Sequence, residues 1–216
     1  MRSCHCHKKH GLRRVVVTGG PGAGKTAVLE LVRQAFCGHV HVLPESASIL
    51  YGGGFPRGTD DASRRAAQRL IFEIQRELEI LQEPTQPALV LCDRGTLDGL
   101  AYWPGHPDDL LEEMGTTRAE QLARYQAVIH LRTPDAEDGY DHVNRLRIES
   151  ATEAARLDRE ILKIWHEHPR RHVVASRPDF LDKALEVVNL LLEELPPCCR
   201  PRPRASKLLR PVQARR

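Results

Sequence analysis

No stretch of about 18 consecutive apolar residues occurs in this 216-residue chain, so nothing in it has the length to span a membrane. The N-terminus also lacks the apolar core of a secretory signal. Lys8, Lys9 and His10 run almost directly into the first predicted strand, which favours the cytoplasm. A disulfide framework is missing as well. Of the six cysteines, Cys37 and Cys92 fall in predicted core elements and the others cluster at the two ends, a distribution that suits reduced thiols. There are no internal repeats.

Acid is absent from both ends. Residues 1–14 carry five Lys/Arg and residues 195–216 carry seven, leaving 20 basic against 29 acidic residues between them, a net charge of about −9. A chain that binds nucleic acid over its whole surface would not have an acidic centre, so no specific nucleic-acid partner is expected. The ends (residues 1–12, and the Pro/Arg-rich 195–216) read as solvated disordered tails with at most weak contact to anionic surfaces. Cys4-His5-Cys6-His7 invites a zinc reading. Structural zinc sites, however, usually space each ligand pair by two or more residues and join two such pairs, and no second pair lies nearby in sequence. Adventitious metal binding in a tail is the expectation.

What is present is organised around Val15 to Thr26. Three consecutive valines suit a buried strand, and Gly19, Gly24, Lys25 and Thr26 then fill the pattern G-x-x-x-x-G-K-[ST]. In such a loop (Gly19, Gly20, Pro21, Gly22, Ala23, Gly24) backbone N–H groups turn inward onto phosphates, aided by the partial positive charge of the following helix. Lys25 reaches the β/γ-phosphate oxygens, and the Thr26 hydroxyl holds Mg²⁺.

Past the loop, Val28, Leu29, Val32 and Phe36 repeat at helical spacing up to Gly38, and residues 39–43 read as a second strand ending in Pro44-Glu45. Residues 51–61 read as a glycine-rich loop. A long helix follows with Ala67, Leu70, Ile71, Ile74, Leu78 and Leu81 as its apolar stripe, and Pro84 and Pro87 end it. Residues 88–92 form a strand delivering Asp93, the second nucleotide signature, which holds Mg²⁺ directly or through water. Short helices over 102–124 precede a strand at 127–131, then a polar segment over 135–150 and a helix carrying Ala154, Leu157, Ile161, Ile164 and Trp165 inward. A fifth strand at 172–175 and a last helix with Leu181, Ala184, Leu185, Val188, Leu191 and Leu192 complete the pattern. Alternating strands and helices predict a three-layer α/β/α sandwich on a parallel five-stranded sheet, with the first strand central and the third beside it.

Missing motifs narrow the phosphate chemistry. Neither D-x-x-G nor N-K-x-D occurs, which disfavours a GTPase, and Asp93 is followed by Arg94 rather than the water-polarising Glu of motor ATPases. Transfer of the γ-phosphoryl group of ATP to a small acceptor remains. It needs a carboxylate to position the acceptor, for which Glu45 and Asp93 are candidates, and arginines for the transferring group, for which Arg94, Arg145 and Arg147 are candidates. Arg145 and Arg147 lie where a closing lid would stand, near 135–150. Tyr51, Phe55, Arg57, Tyr102 and Trp103 are candidates to stack on a ring.

At these residues the chain resembles nucleoside and nucleotide kinases. Glu45, Asp93-Arg94, Leu131-Arg132-Thr133 and the segment with Arg145, Arg147 and Glu149 match by position the base, acid-arginine, strand and lid motifs of deoxynucleoside kinases, with Gly95 where those enzymes carry Ser. Over residues 13–194 the chain is similar to small single-domain phosphate-loop proteins labelled AAA-domain or ATP/GTP-binding proteins, related to the nicotinamide-riboside kinase domain. The resemblance implies a nucleotide-kinase-like phosphate-loop fold that binds ATP and Mg²⁺. It also implies a small-molecule acceptor, with Ser176-Arg177-Pro178 near the adenine. Animal relatives that bind GTP and phosphoinositides keep open the alternative of a non-catalytic, nucleotide-binding regulatory protein.

Overall fold

The computed structural model describes residue 6 and residues 8–134 and 150–200. Its centre is a parallel sheet of β1 (Arg14–Thr18), β2 (Val40–Leu43), β3 (Leu89–Asp93), β4 (Ala127–Leu131) and β5 (Arg171–Val174), in the order β2-β3-β1-β4-β5. The first strand is central with the third beside it, as the pattern predicts. Val15 pairs with Leu91 on one side and Ala127 on the other, so every main-chain group of β1 has a neighbour.

Alternation along the strands divides the core. Val15 and Val17 face α1 (Lys25–Ala35) and α7 (Phe180–Glu194), packing with Val28, Val32, Val187 and Leu191. Val16, Val90 and Cys92 face the opposite layer, which holds Phe72 of α3 (Asp61–Ile80), Leu110 of α4 (Asp108–Glu113) and Ile161 of α6 (Ala151–Ile164). Two short helices, α2 (Ser46–Gly52) and α5 (Arg118–Ala123), complete the set. Polar caps start several helices. Asp60 accepts from the Ser63 N–H at 2.9 Å, Ser150 from the Glu153 N–H at 3.2 Å, and Thr117 with Glu120 forms a reciprocal box ahead of α5.

The inward face of the long helix overlaps the expected stripe only in part. Ala67 is buried and Leu78 packs against the core, but Leu70 is 41% and Leu81 65% exposed, while Gln68, Phe72, Gln75 and Glu79 are buried. The reason is electrostatic. Glu79, fully buried, receives Arg124 Nη2 at 2.6 Å, the Tyr125 hydroxyl at 2.8 Å and Gln75 Nε2 at 2.9 Å, so a carboxylate and its partners occupy the place of an apolar seam. Leu181 of α7 is likewise 61% exposed, and Lys183 takes the inward position.

A few residues of the expected tails are among the described ones. Residues 197–199 form a 3₁₀ turn after α7, Cys199 is 3% exposed within the core, and the His10 N–H bonds Gln86 O at 3.3 Å. Both segments lie at the N-terminal ends of the strands, beside Cys37 and His39, which precede β2.

Candidate phosphate-loop active site

All the strands run the same way, so the loops after β1, β2 and β3 converge at their C-terminal ends, where open α/β sheets form ligand crevices. A cleft of 980 Å³ opens there. It is lined by residues 21–27 of the phosphate loop, by Glu45, Ser46 and Tyr51, by Gln68, Phe72 and Gln75 of α3, and by Asp93, Arg94 and Tyr102.

The loop's shape is imposed by its surroundings. Gly19 has φ of 134°, and a Cβ there would lie 2.0 Å from Leu131 O, so no other residue fits between β1 and β4. The Gly20 N–H is held by Asp158 Oδ1 at 3.1 Å, Thr133 Oγ1 donates to Pro21 O at 3.2 Å, and Lys183 Nζ donates to Ala23 O at 2.9 Å. Three elements distant in sequence thus brace the loop from behind. Lys25 is buried, its ammonium donating to Gly19 O and Gly20 O, each at 3.0 Å. Burial, reinforced by Arg94, lowers its pKa to about 8, although Asp93, Glu45 and Asp98 pull the other way.

Across the cleft, Arg94 joins the carboxylates. Its Nε donates to Glu45 Oε1 at 2.7 Å, and its Nη1 reaches Gly19 O at 3.3 Å and Asp98 Oδ1 at 3.4 Å. Its backbone adopts φ of 71°, a left-handed conformation that costs a non-glycine residue about 1–3 kcal/mol. The Arg94 N–H bond to Val17 O, at 3.1 Å, and the three side-chain bonds offset that strain. Burial would raise the Glu45 carboxyl, but the Arg94 charge and the hydrogen bonds from Ser48 and Arg94 hold it at about 2. Asp93 is different. Burial is the main effect on it and raises its pKa despite Lys25, and its Oδ1 is buried without a hydrogen-bond partner among the described residues. An orphaned carboxylate oxygen beside a phosphate loop is a ready oxygen ligand for a hard cation, and the Thr26 hydroxyl on the same cleft is a second.

Most of the expected site residues come together here: Gly19 to Thr26, Glu45, Asp93 and Arg94. Arg145, Arg147 and Glu149, and with them the expected lid, lie outside the described residues, as do Cys4, His5, His7 and the tail from 201 onward. Of the aromatic candidates, Tyr51 and Tyr102 line the cleft, and Arg57 stacks on Tyr51 with its guanidinium carbon 4.0 Å from the ring centre. Phe55 and Trp103 do not line it. Trp103 is buried beneath the Arg65 guanidinium, 4.7 Å from its ring centre, and serves packing.

Several residues escaped the sequence reading. Asp98 accepts from Thr18 Oγ1, from the Gly95 N–H at 2.9 Å and from Trp165 Nε1 at 3.1 Å, besides Arg94. Asp158 accepts from Arg132 Nε at 2.6 Å and lies 2.9 Å from His130 Nε2. Burial raises its pKa, but His130, the Gly20 N–H and Arg132 outweigh this and bring it to about 2. Gln68 and Gln75 put amides on the wall opposite the phosphate loop. Gly95 also acquires a reason: a Cβ there would sit 2.8 Å from the Trp165 ring and 2.9 Å from Val16, so the serine of deoxynucleoside kinases has no room.

Comparison with known proteins follows the same lines. A family model described as an AAA domain matches residues 14–183. A thymidylate kinase from Ehrlichia chaffeensis superposes with a TM-score of 0.51 at 18% identity, over 84% of this chain and 99% of its own. A thymidylate kinase from Candida albicans gives 0.57 at 14% identity, over 84% and 92%. NadR protein, solved in complex with NAD and AMP-PNP, gives 0.59 at 13% identity over 85% of this chain and 49% of its own, so the chain spans about half of NadR. No curated protein matches the chain. At such identities the likeness to the solved structures is one of fold, the phosphate-loop nucleotide-kinase sandwich.

Proposed function

The chain belongs to the AAA-domain family, and from that premise we propose that it is a kinase passing the γ-phosphoryl group of ATP, with Mg²⁺, to a nucleoside-like or other small-molecule acceptor. One observation carries this reading. The phosphate loop occupies one side of the 980 Å³ cleft, and the rest is walled by an ionised carboxylate, a fixed arginine, two amides and two tyrosines. That is room and chemistry for a second small molecule.

In this reading the loop N–H groups and Lys25 take the triphosphate, and binding restores to the Lys25 ammonium the charge stabilisation that burial withholds. Thr26 and Asp93 would hold Mg²⁺, which would supply charge neutralisation on the triphosphate. Glu45, held at about 2, is a poor proton acceptor and a good orienting one. It accepts a hydrogen bond from the acceptor hydroxyl and aligns it; the bond from the γ-phosphorus to the ADP oxygen breaks ahead of bond making to the hydroxyl oxygen, and the hydroxyl proton passes late to an oxygen of the transferred phosphoryl group. Arg94 fixes Glu45, and Arg145 and Arg147 take the charge of the transferring group. Gln68, Gln75, Tyr51 and Arg57 select the acceptor, and Ser176-Arg177-Pro178 flanks the adenine.

The test is transfer of label from γ-labelled ATP with Mg²⁺ to a panel of nucleosides, nucleoside monophosphates and nicotinamide riboside, with Lys25→Ala as the blank. Label on an acceptor with the native chain alone supports the proposal. Tight nucleotide binding with no acceptor labelled overturns it in favour of the non-catalytic regulatory reading.

A further inference from the structure

Away from the cleft, at the opposite ends of the strands, the fold assembles a cluster that neither the phosphate loop nor the family accounts for. Cys6 and His10 come from the start of the chain, Cys198 and Cys199 from its last described turn, and their ligand atoms all lie within 4.8 Å of one another. Cys6 Sγ is 3.4 Å and Cys199 Sγ 3.6 Å from His10 Nε2. A tetrahedral zinc site with Zn–S of about 2.3 Å and Zn–N of about 2.0–2.1 Å separates a sulfur from a nitrogen ligand by about 3.6 Å. We propose that Cys6, His10, Cys198 and Cys199 form a Cys₃His zinc site that joins the two ends of the domain.

The surroundings fit that assignment. His39 Nδ1 lies 3.7 Å from Cys199 Sγ, and Cys37 Sγ 3.9 Å from His39 Nδ1, so the Nδ1–H tautomer would stand beside the Cys199 sulfur as outer partners of metal ligands usually do. The Lys8 backbone N–H lowers the Cys6 pKa, aided by the neighbouring thiols, whereas burial first and Cys37 second raise that of Cys199. A cation offsets the second effect, and zinc would displace three thiol protons on binding. Simple packing of small apolar cysteines does not explain the cluster, because Cys198 is exposed and His10 is only half-buried. In sequence, zinc is disfavoured both by close ligand spacing and by the lack of a second pair nearby; in the fold Cys6 and His10 are spaced by three residues, and the adjacent Cys198 and Cys199 are the departure from the usual spacing. The second pair is about 190 residues away in the chain and is supplied by the fold.

The full chain, purified and held in a phosphine reductant, is analysed for bound zinc after gel filtration and then titrated with Co²⁺ in place of zinc. The expected result is about one zinc per chain, with a cobalt spectrum showing thiolate charge-transfer and tetrahedral bands. Both are lost in Cys199→Ser and reduced at least tenfold in affinity in Cys198→Ser, whose exposed side chain leaves folding intact. Cys92→Ser, in the other core layer, retains both. Folded protein that retains no zinc and gives no thiolate–cobalt band overturns the proposal, as does a cobalt spectrum unchanged in Cys198→Ser. The readout is independent of phosphoryl transfer, so failure of the kinase reading leaves this result standing.

Discussion

Arg94 donates its Nε–H to Glu45 Oε1 across 2.7 Å, from a backbone held at φ of 71°, so a carboxylate lining the cleft is fixed by a residue that is itself strained into place. Glu45→Gln keeps the shape and loses the charge. Transfer is expected to fall about 10²-fold or more, with nucleotide affinity within about twofold of the native value. Single-turnover rates and equilibrium nucleotide titration measure the two separately.

Lys25 sets an alkaline limit on nucleotide binding. Its pKa of about 8 means that the free protein loses this charge as pH rises through 8, so triphosphate affinity should decline across that range. Because bound phosphate favours the charged form, binding near pH 8 should take up protons, which calorimetry in buffers of different ionisation enthalpy detects. Lys25→Ala should abolish both the uptake and the tight binding.

Asp158 should matter to stability as well as to the loop. Asp158→Ala leaves His130, Arg132 and the Gly20 N–H without their shared acceptor, at an expected cost of about 3 kcal/mol in urea denaturation. The native carboxyl sits at about 2, below the unfolded value of about 3.9. Its stabilisation is therefore complete above about pH 4 and is lost as pH falls through about 2. The variant should show a flatter acid limb.

Gly95→Ser restores the residue of deoxynucleoside kinases and should harm the protein. The new Cβ meets the Trp165 ring and Val16 within 3 Å, so the variant is expected to lose about 1–3 kcal/mol with no gain in transfer. Thermal denaturation monitored by tryptophan fluorescence reports directly on the displaced ring.

How much of this could be read beforehand depends on how far apart in sequence the partners lie. Gly19 to Thr26 and Asp93-Arg94 carry their geometry within a strand and the turn after it, so spacing alone identifies them. Asp158 and Lys183 brace the phosphate loop from 138 and 160 residues away, and nothing local marks them as partners; Asp98 sits only three residues past Gly95, but its bond to Thr18 spans 80 residues. A weak signal existed. Asp158 falls on the same face of its helix as Ala154, Leu157 and Ile161, and Gln68, Gln75 and Glu79 recur at helical spacing on theirs. Polar residues on an otherwise buried face announce a network. Hydrophobic periodicity favours the leucine stripe because it has no means of scoring a buried carboxylate with three donors.

The meeting of Cys6 with Cys199 has a topological consequence. A chain that enters and leaves a fold at one point can be cut elsewhere and rejoined there, or spliced as a unit into a surface turn of another protein, without pulling its strands apart. The exposed stretch between Gly53 and Asp60 offers a place for the cut, and a short linker between residues 6 and 200 would close the circle. In such a permutant the phosphate loop, at the far ends of the strands, would keep every neighbour it has now.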